Sequence, residues 1–166
     1  HPFKAKNAYA ISLEAQKITD SILTTTLLDK DASGGQVDAF RHAFWMATLQ
    51  IEIGKCAAKS LGKAHERDNY RTFKKRKLEN GILPDKASKK MDLYNNKVGL
   101  TFSKKGDSIS IKSLIYKISN SILRGDLKVI KKDSLGNYLT CANEIIPSKE
   151  LQHKWKNNKC LVSSKK

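Results

Sequence analysis

Three short stretches carry the residues able to do chemistry. Asp38, Arg41 and His42 fall within Asp38-Ala39-Phe40-Arg41-His42-Ala43-Phe44-Trp45, His65 and Glu66 stand side by side, and Asp92, Asn95 and Asn96 lie in Met91-Asp92-Leu93-Tyr94-Asn95-Asn96. The first is the most telling, because an acid, a base and an imidazole interrupt the most apolar segment of the chain. Burying such groups is costly unless they are paired or bind something.

Two chemistries suit the set. Two imidazoles with one or two carboxylates hold a divalent cation and leave positions open for water, whose acidification makes a hydrolytic nucleophile. On that reading His42, His65, Glu66 and Asp92 are metal ligands; zinc, manganese, iron, calcium and magnesium are the candidate ions, and no organic cofactor is called for. Without a metal, a histidine oriented by a carboxylate acts as general base on water, which makes His42, His65, Glu66 and Asp38 the catalytic set. Arg41 then stabilises an anionic transition state, and Asn95 and Asn96 orient the substrate. The bland alternative is a buried Asp38–Arg41 pair, a His42 that donates to a backbone carbonyl, and a helix end at His65-Glu66.

Helices must position these groups. From Val37 to Ile53 the only formal charges are Asp38, Arg41 and Glu52, which reads as a central buried helix. On it Asp38, His42 and Trp45 follow at i, i+4 and i+7 and share a face. Gly34-Gly35 precede it and Gly54 interrupts it. A second helix, Lys55 to about Asn69, carries Cys56 as a buried thiol. Asp85 is a plausible N-cap for a third, Lys86 to about Phe102, where Met91, Tyr94, Val98 and Phe102 form an apolar face and Asp92, Asn95, Asn96 and Gly99 an offset polar one. The separations of His42 from His65, and of Glu66 from Asp92, suit successive antiparallel helices facing one cleft.

The flanking segments are helical too, with Ala8, Ile11, Ala15, Ile18 and Ile22 on one amphipathic face. A later helix from Ile111 to Leu123 is capped by Asp107 or Ser108 and stopped by Gly125. Leu127 to Ile130 and Tyr138 to Thr140 flank a turn-rich stretch and predict a small β-hairpin. Pro147 to Lys166 reads as a short basic helix bearing Leu151 and Trp155, then a fraying tail. The expected fold is mainly α: a single helical bundle-like domain over 1–166, its motif-bearing core at about 36–124, its hairpin and basic tail at 125–166.

Composition narrows the partner. The formal charge is +16, from 32 Lys and Arg against 16 Asp and Glu. This points to an anionic partner: phospholipid, lipid-linked phosphate, nucleic acid, or an acidic inhibitor (immunity) protein. Biased composition of the genome is the plain alternative. A basic run, Arg67, Arg71, Lys74, Lys75, Arg76 and Lys77, ends at Asn80-Gly81 and Pro84; it interleaves only Tyr70 and Phe73, which makes no stacking platform for single strands. No run approaches the roughly 20 apolar residues of a membrane span. Of three cysteines, Cys141 and Cys160 can close a loop, while the odd count equally suits a reducing compartment. No Cys-x-x-Cys exists, which excludes a zinc ribbon. The start at His1-Pro2 suggests a processed or excised form.

The three motifs, in order, resemble a bacterial helical domain of secreted proteins and of the C-terminal tips of polymorphic, Rhs-type toxins. Its members typically read D-A-x-R-H-A-[YF]-W, A-H-E and M-D-L-H-N-N-x-[VI]-G. The likeness covers about Gln36 to Gly99 and extends to Gly125-Asp126-Leu127. It implies that Asp38, Arg41, His42, His65, Glu66, Asp92, Asn95 and Asn96 line one pocket, and that the protein is secreted or delivered to the envelope or periplasm of a target cell. Tyr94 stands where the family often has His. A looser similarity, to HD-type phosphohydrolases, has Glu66 in place of the Asp of their His-Asp pair. The resulting expectation is a toxin or effector hydrolase acting on a phosphoester, in a phospholipid or lipid-linked envelope precursor. Its rivals are a nuclease and a non-catalytic basic module that binds nucleic acid or an anionic surface.

Overall fold

The computed structural model describes residues 2–78, 82–152 and 154–165, so the expected break at Asn80-Gly81 lies outside the described residues. In chain order the elements are α1 (Pro2–Leu23), α2 (Gln36–Ile53), α3 (Lys55–Lys74), α4 (Lys86–Gly99), α5 (Ile111–Arg124), β1 (Lys128–Ile130), α6 (Ser148–Leu151) and β2 (Leu161–Ser163). The architecture is mainly helical with one small antiparallel sheet. No helix among the described residues is long and apolar enough to cross a membrane.

A helix apolar on all sides has to be interior. Accordingly α2 runs through the middle, with Val37, Ala39, Phe40, Ala43, Ala47 and Leu49 fully buried, and packs against α1, α3, α4, α5 and β1. One apolar cluster joins Ala15 and Ile22 of α1, Phe40 and Phe44 of α2, and Ile118 and Ile122 of α5. A second joins Ala8, Met46, Leu49, Ile53, Ala58 and Leu100. Gly54, at φ 83°, adopts a backbone that other residues rarely take and turns the chain from α2 into α3. The thiol expected to be buried on α3, Cys56, is exposed.

Asp85 caps α4 by accepting from the Ser88 N–H at 2.8 Å. The approach of α4 to α2 is very close, because a Cβ on Gly99 would lie 2.5 Å from the Ala43 carbonyl oxygen and 2.7 Å from its Cα. The polar side of α4 therefore faces inward: Asp92, Asn95 and Asn96 are all buried. Ser110, not Asp107 or Ser108, caps α5, and Gly125 ends it in the left-handed conformation at φ 95°.

The C-terminal sheet differs from the expected hairpin in its partner. β1 pairs with β2, Lys128 opposite Ser163 and Ile130 opposite Leu161, while Tyr138 and Leu139 make only isolated bridges, to Lys132 and Ile145. The tail that was expected to fray is instead tied down. A Cys141–Cys160 disulfide anchors it, Ser164 donates to the Ile122 carbonyl, and the Ser164 carbonyl accepts from Gln36 Nε2.

Candidate metal and catalytic site

Gly35 gives α2 no side-chain N-cap, and the Asp29 carboxylate accepts the Gln36 N–H at 2.9 Å from the preceding loop. Asp38 turns back, and its Oδ2 accepts from the Gly34 N–H at 2.7 Å. Its Oδ1 meets Arg41 Nη2 at 2.5 Å, one turn along the helix. Both contacts favour the carboxylate, and burial opposes it. Burial is the larger influence and holds the Asp38 carboxyl above its ordinary value.

His42 completes the face. Arg41 has donors only, and it directs an N–H at His42 Nε2 from 3.3 Å, so that nitrogen carries the lone pair. The proton is on Nδ1, which donates to Asn96 Oδ1 of α4 at 3.2 Å. Burial, then the positive charge of Arg41 and the neighbouring His65 ring, which disfavours a second imidazolium, push the His42 imidazole well below its usual value, so it is neutral. Asp92 Oδ1 lies 3.3 Å from the same Nε2, and Asp38 Oδ1 3.6 Å.

One nitrogen and two carboxylates thus converge from α2 and α4. Ligand atoms of Asp38, His42 and Asp92 all lie within 4.8 Å of one another, and all three residues are buried. This group can hold a metal ion, with Asn96 as the outer partner that fixes the tautomer of His42. Arg41 stands on the lone pair that such an ion needs; its side chain is 20% exposed, at the edge of the cluster.

Next to His42 and Arg41 is a cavity of about 210 Å³ that they line with Ser12, Ala15, Trp45 and His65. Trp45 donates its indole N–H to Ser12 Oγ at 2.9 Å and sets its ring edge-on to His65, centroids 5.6 Å apart. The His65 ring is 6.0 Å from that of His42. Burial and Arg41 hold His65 below its usual value too, so the ring is uncharged at neutral pH.

Of the residues singled out in the sequence, Asp38, Arg41, His42, Asp92 and Asn96 come into direct contact, and His65 stands beside them. His65 and Glu66 do not belong to the group of converging ligand atoms. Glu66 is buried on α3. Asn95 faces elsewhere: its amide donates to the Lys128 carbonyl and accepts the Lys128 N–H, both at 2.9 Å, so it joins α4 to β1. None of the basic run lines the cavity.

Trp155, expected on a short helix with Leu151, lies beyond α6 and makes a contact that sequence reading missed. It packs on Tyr70 and Phe73 with centroids at 4.7 and 5.2 Å, and Lys74 Nζ lies 5.0 Å from the Tyr70 centroid. The basic run interleaves only Tyr70 and Phe73, and folding adds Trp155 to them as a third ring. Only chain folding brings Trp155 there, and no local spacing signals it.

The model of a family described as Domain of unknown function (DUF6973) matches residues 1–126, which include every residue of the cluster and stop short of β1. No curated protein and no solved structure matches the chain.

Proposed function

The chain belongs to the DUF6973 family, and from that premise we propose that it is a divalent-metal-dependent hydrolase of phosphoesters, centred on Asp38, His42 and Asp92. The observation that carries the reading is the convergence of His42 Nε2 and two carboxylates beside a cavity that His42, Arg41 and His65 line. One nitrogen with two oxygen donors suits zinc or manganese. A bound cation would acidify a water and polarise a phosphoryl oxygen.

The chain's own groups supply the rest. Arg41 presents a guanidinium to the non-bridging oxygens of a phosphoryl group, in the planar geometry that such anions favour. His65, neutral and half-buried, takes a proton from the attacking water or passes one to the leaving oxygen. Trp45 and Ser12 form part of the cavity wall. Phospholipid or lipid-linked phosphate is the proposed substrate, and the protein acts as a secreted toxin or effector, which an acidic immunity protein would neutralise. The Cys141–Cys160 disulfide supports an oxidising compartment. A nuclease is the second reading, favoured by the Tyr70, Phe73 and Trp155 rings beside Lys74.

The test is metal titration by calorimetry, together with hydrolysis of bis(p-nitrophenyl) phosphate, phospholipid vesicles and single-stranded DNA. We expect zinc or manganese to bind one per chain, and Asp92→Asn to abolish both binding and turnover with its circular dichroism unchanged. A wild-type protein that takes up neither metal ends this reading, and activity on DNA alone transfers it to the nuclease.

A further inference from the structure

α3 has a second flank. On one side of it lies the cavity with His42; on the other, between α3 and α4, is a pocket of about 350 Å³, inside the size range of small-molecule sites. Its walls are Met46, Leu93 and Leu100, and Lys55, Lys59, Lys63 and Lys97 ring it. Lys55, Lys59 and Lys63 follow at i, i+4 and i+8, which places them in one row along α3. Four ammonium groups around an apolar hollow repel one another unless an anion joins them, while their aliphatic stems extend the apolar wall.

The floor adds an unsatisfied donor. Asn96 spends its Oδ1 on His42, which turns its Nδ2 toward Gly62, where an added Cβ would lie 3.2 Å away. That Nδ2 is buried and has no hydrogen-bond partner, and Asn96 is 5% exposed. Gly62 has no side chain to cover it, and Met46 Sδ lies at the same 3.2 Å from where that Cβ would be. Leu93 meanwhile is 36% exposed, a large apolar side chain at the rim.

We propose that this pocket binds an anionic amphiphile: an aliphatic chain against Met46, Leu93 and Leu100, carrying a carboxylate or phosphate head among the four lysines. Charge complementarity selects the head, the apolar wall selects the tail, and neither alone accounts for both features. The site is separate from the Asp38–His42–Asp92 cluster and does not depend on a metal there. It places a lipid-like ligand one side chain away from His42, through Asn96.

The experiment is calorimetry on metal-free protein with laurate, dodecyl phosphate, dodecanol and inorganic phosphate. Laurate and dodecyl phosphate should bind one per chain, and dodecanol and inorganic phosphate at least about tenfold more weakly. Tighter binding of laurate identifies a fatty acid as the source of the head, and tighter binding of dodecyl phosphate a phospholipid. Leu93→Asp, and separately Lys59→Glu with Lys63→Glu, should each weaken the better ligand by about tenfold or more. Both changes are at exposed positions on helices, and an unchanged circular dichroism spectrum checks that the fold is kept. Lys112→Glu with Lys117→Glu on α5, the same change in net charge, should leave binding intact. Equal loss in the α5 control, unchanged binding in Leu93→Asp, or inorganic phosphate binding as well as the amphiphiles overturns the proposal. So does a single-stranded oligonucleotide that displaces laurate and binds more tightly, which would assign the lysines to nucleic acid.

Discussion

Arg41 Nη2 lies 3.3 Å from His42 Nε2, on the lone pair through which that imidazole would bind a metal. The guanidinium is therefore a competitor for the site, and it neutralises Asp38 while the metal is absent. Arg41→Gln removes the competing charge and should raise zinc or manganese affinity, by about tenfold if one charged hydrogen bond is relieved. Turnover should fall, because the phosphoryl oxygens lose their cation. Calorimetry and kcat together check this, and weaker metal binding in the variant would contradict the competition.

Asn96 holds the other nitrogen of the same ring. Asn96→Leu keeps the volume and removes the acceptor, so both tautomers of His42 become accessible. The expected cost is roughly 10- to 100-fold in metal affinity, the usual effect of deleting an outer partner of a ligating histidine. The chemical shifts of the His42 ring nitrogens report the tautomer directly.

Gly99 sets the distance between the two helices that share the site. In Gly99→Ala the new methyl meets Ala43 backbone, which cannot yield as a side chain would. We expect about 1–3 kcal/mol of destabilisation from overpacking. Metal affinity should fall as well, since Asp92 and Asn96 ride on α4 and move with it. A thermal melt and a metal titration on the same sample separate the two effects.

Lys159 and Asp85 form a buried pair at 2.7 Å, side chains 3% and 4% exposed. Burial alone would push the Asp85 carboxyl up, but Lys159, the Ser88 N–H and Asn157 outweigh it and hold it below its ordinary value. A carboxyl with a depressed folded value stabilises the fold above the ordinary carboxylate range. It loses that contribution as pH falls through the range and below. Lys159→Met leaves a buried charge without its partner and should cost roughly 3 kcal/mol, or about 10 °C in Tm, at neutral pH. Melts from neutral pH down into the acid range should show the gap between variant and wild type closing as Asp85 protonates.

Local pattern in the sequence determined the helices and the residues worth suspecting. The apolar run around Asp38, Arg41 and His42 has no stable place except the centre of a bundle, and Asp85, Gly54 and Gly125 mark where helices start and stop through their own backbone and capping chemistry. The i, i+4 step fixed the shared face of Asp38 and His42 without any tertiary information. Tertiary packing alone decided which suspects meet. Asn95 and Asn96 are adjacent on α4, yet one turns to the backbone of β1 and the other to His42, because a helix sends neighbouring residues about 100° apart. His65 and Glu66 separate for the same reason, and β1 takes as its partner β2, a strand more than thirty residues further along the chain. Distances between helices depend on side chains far apart in the chain, such as Gly99 against Ala43, and spacing within a single helix carries no record of them.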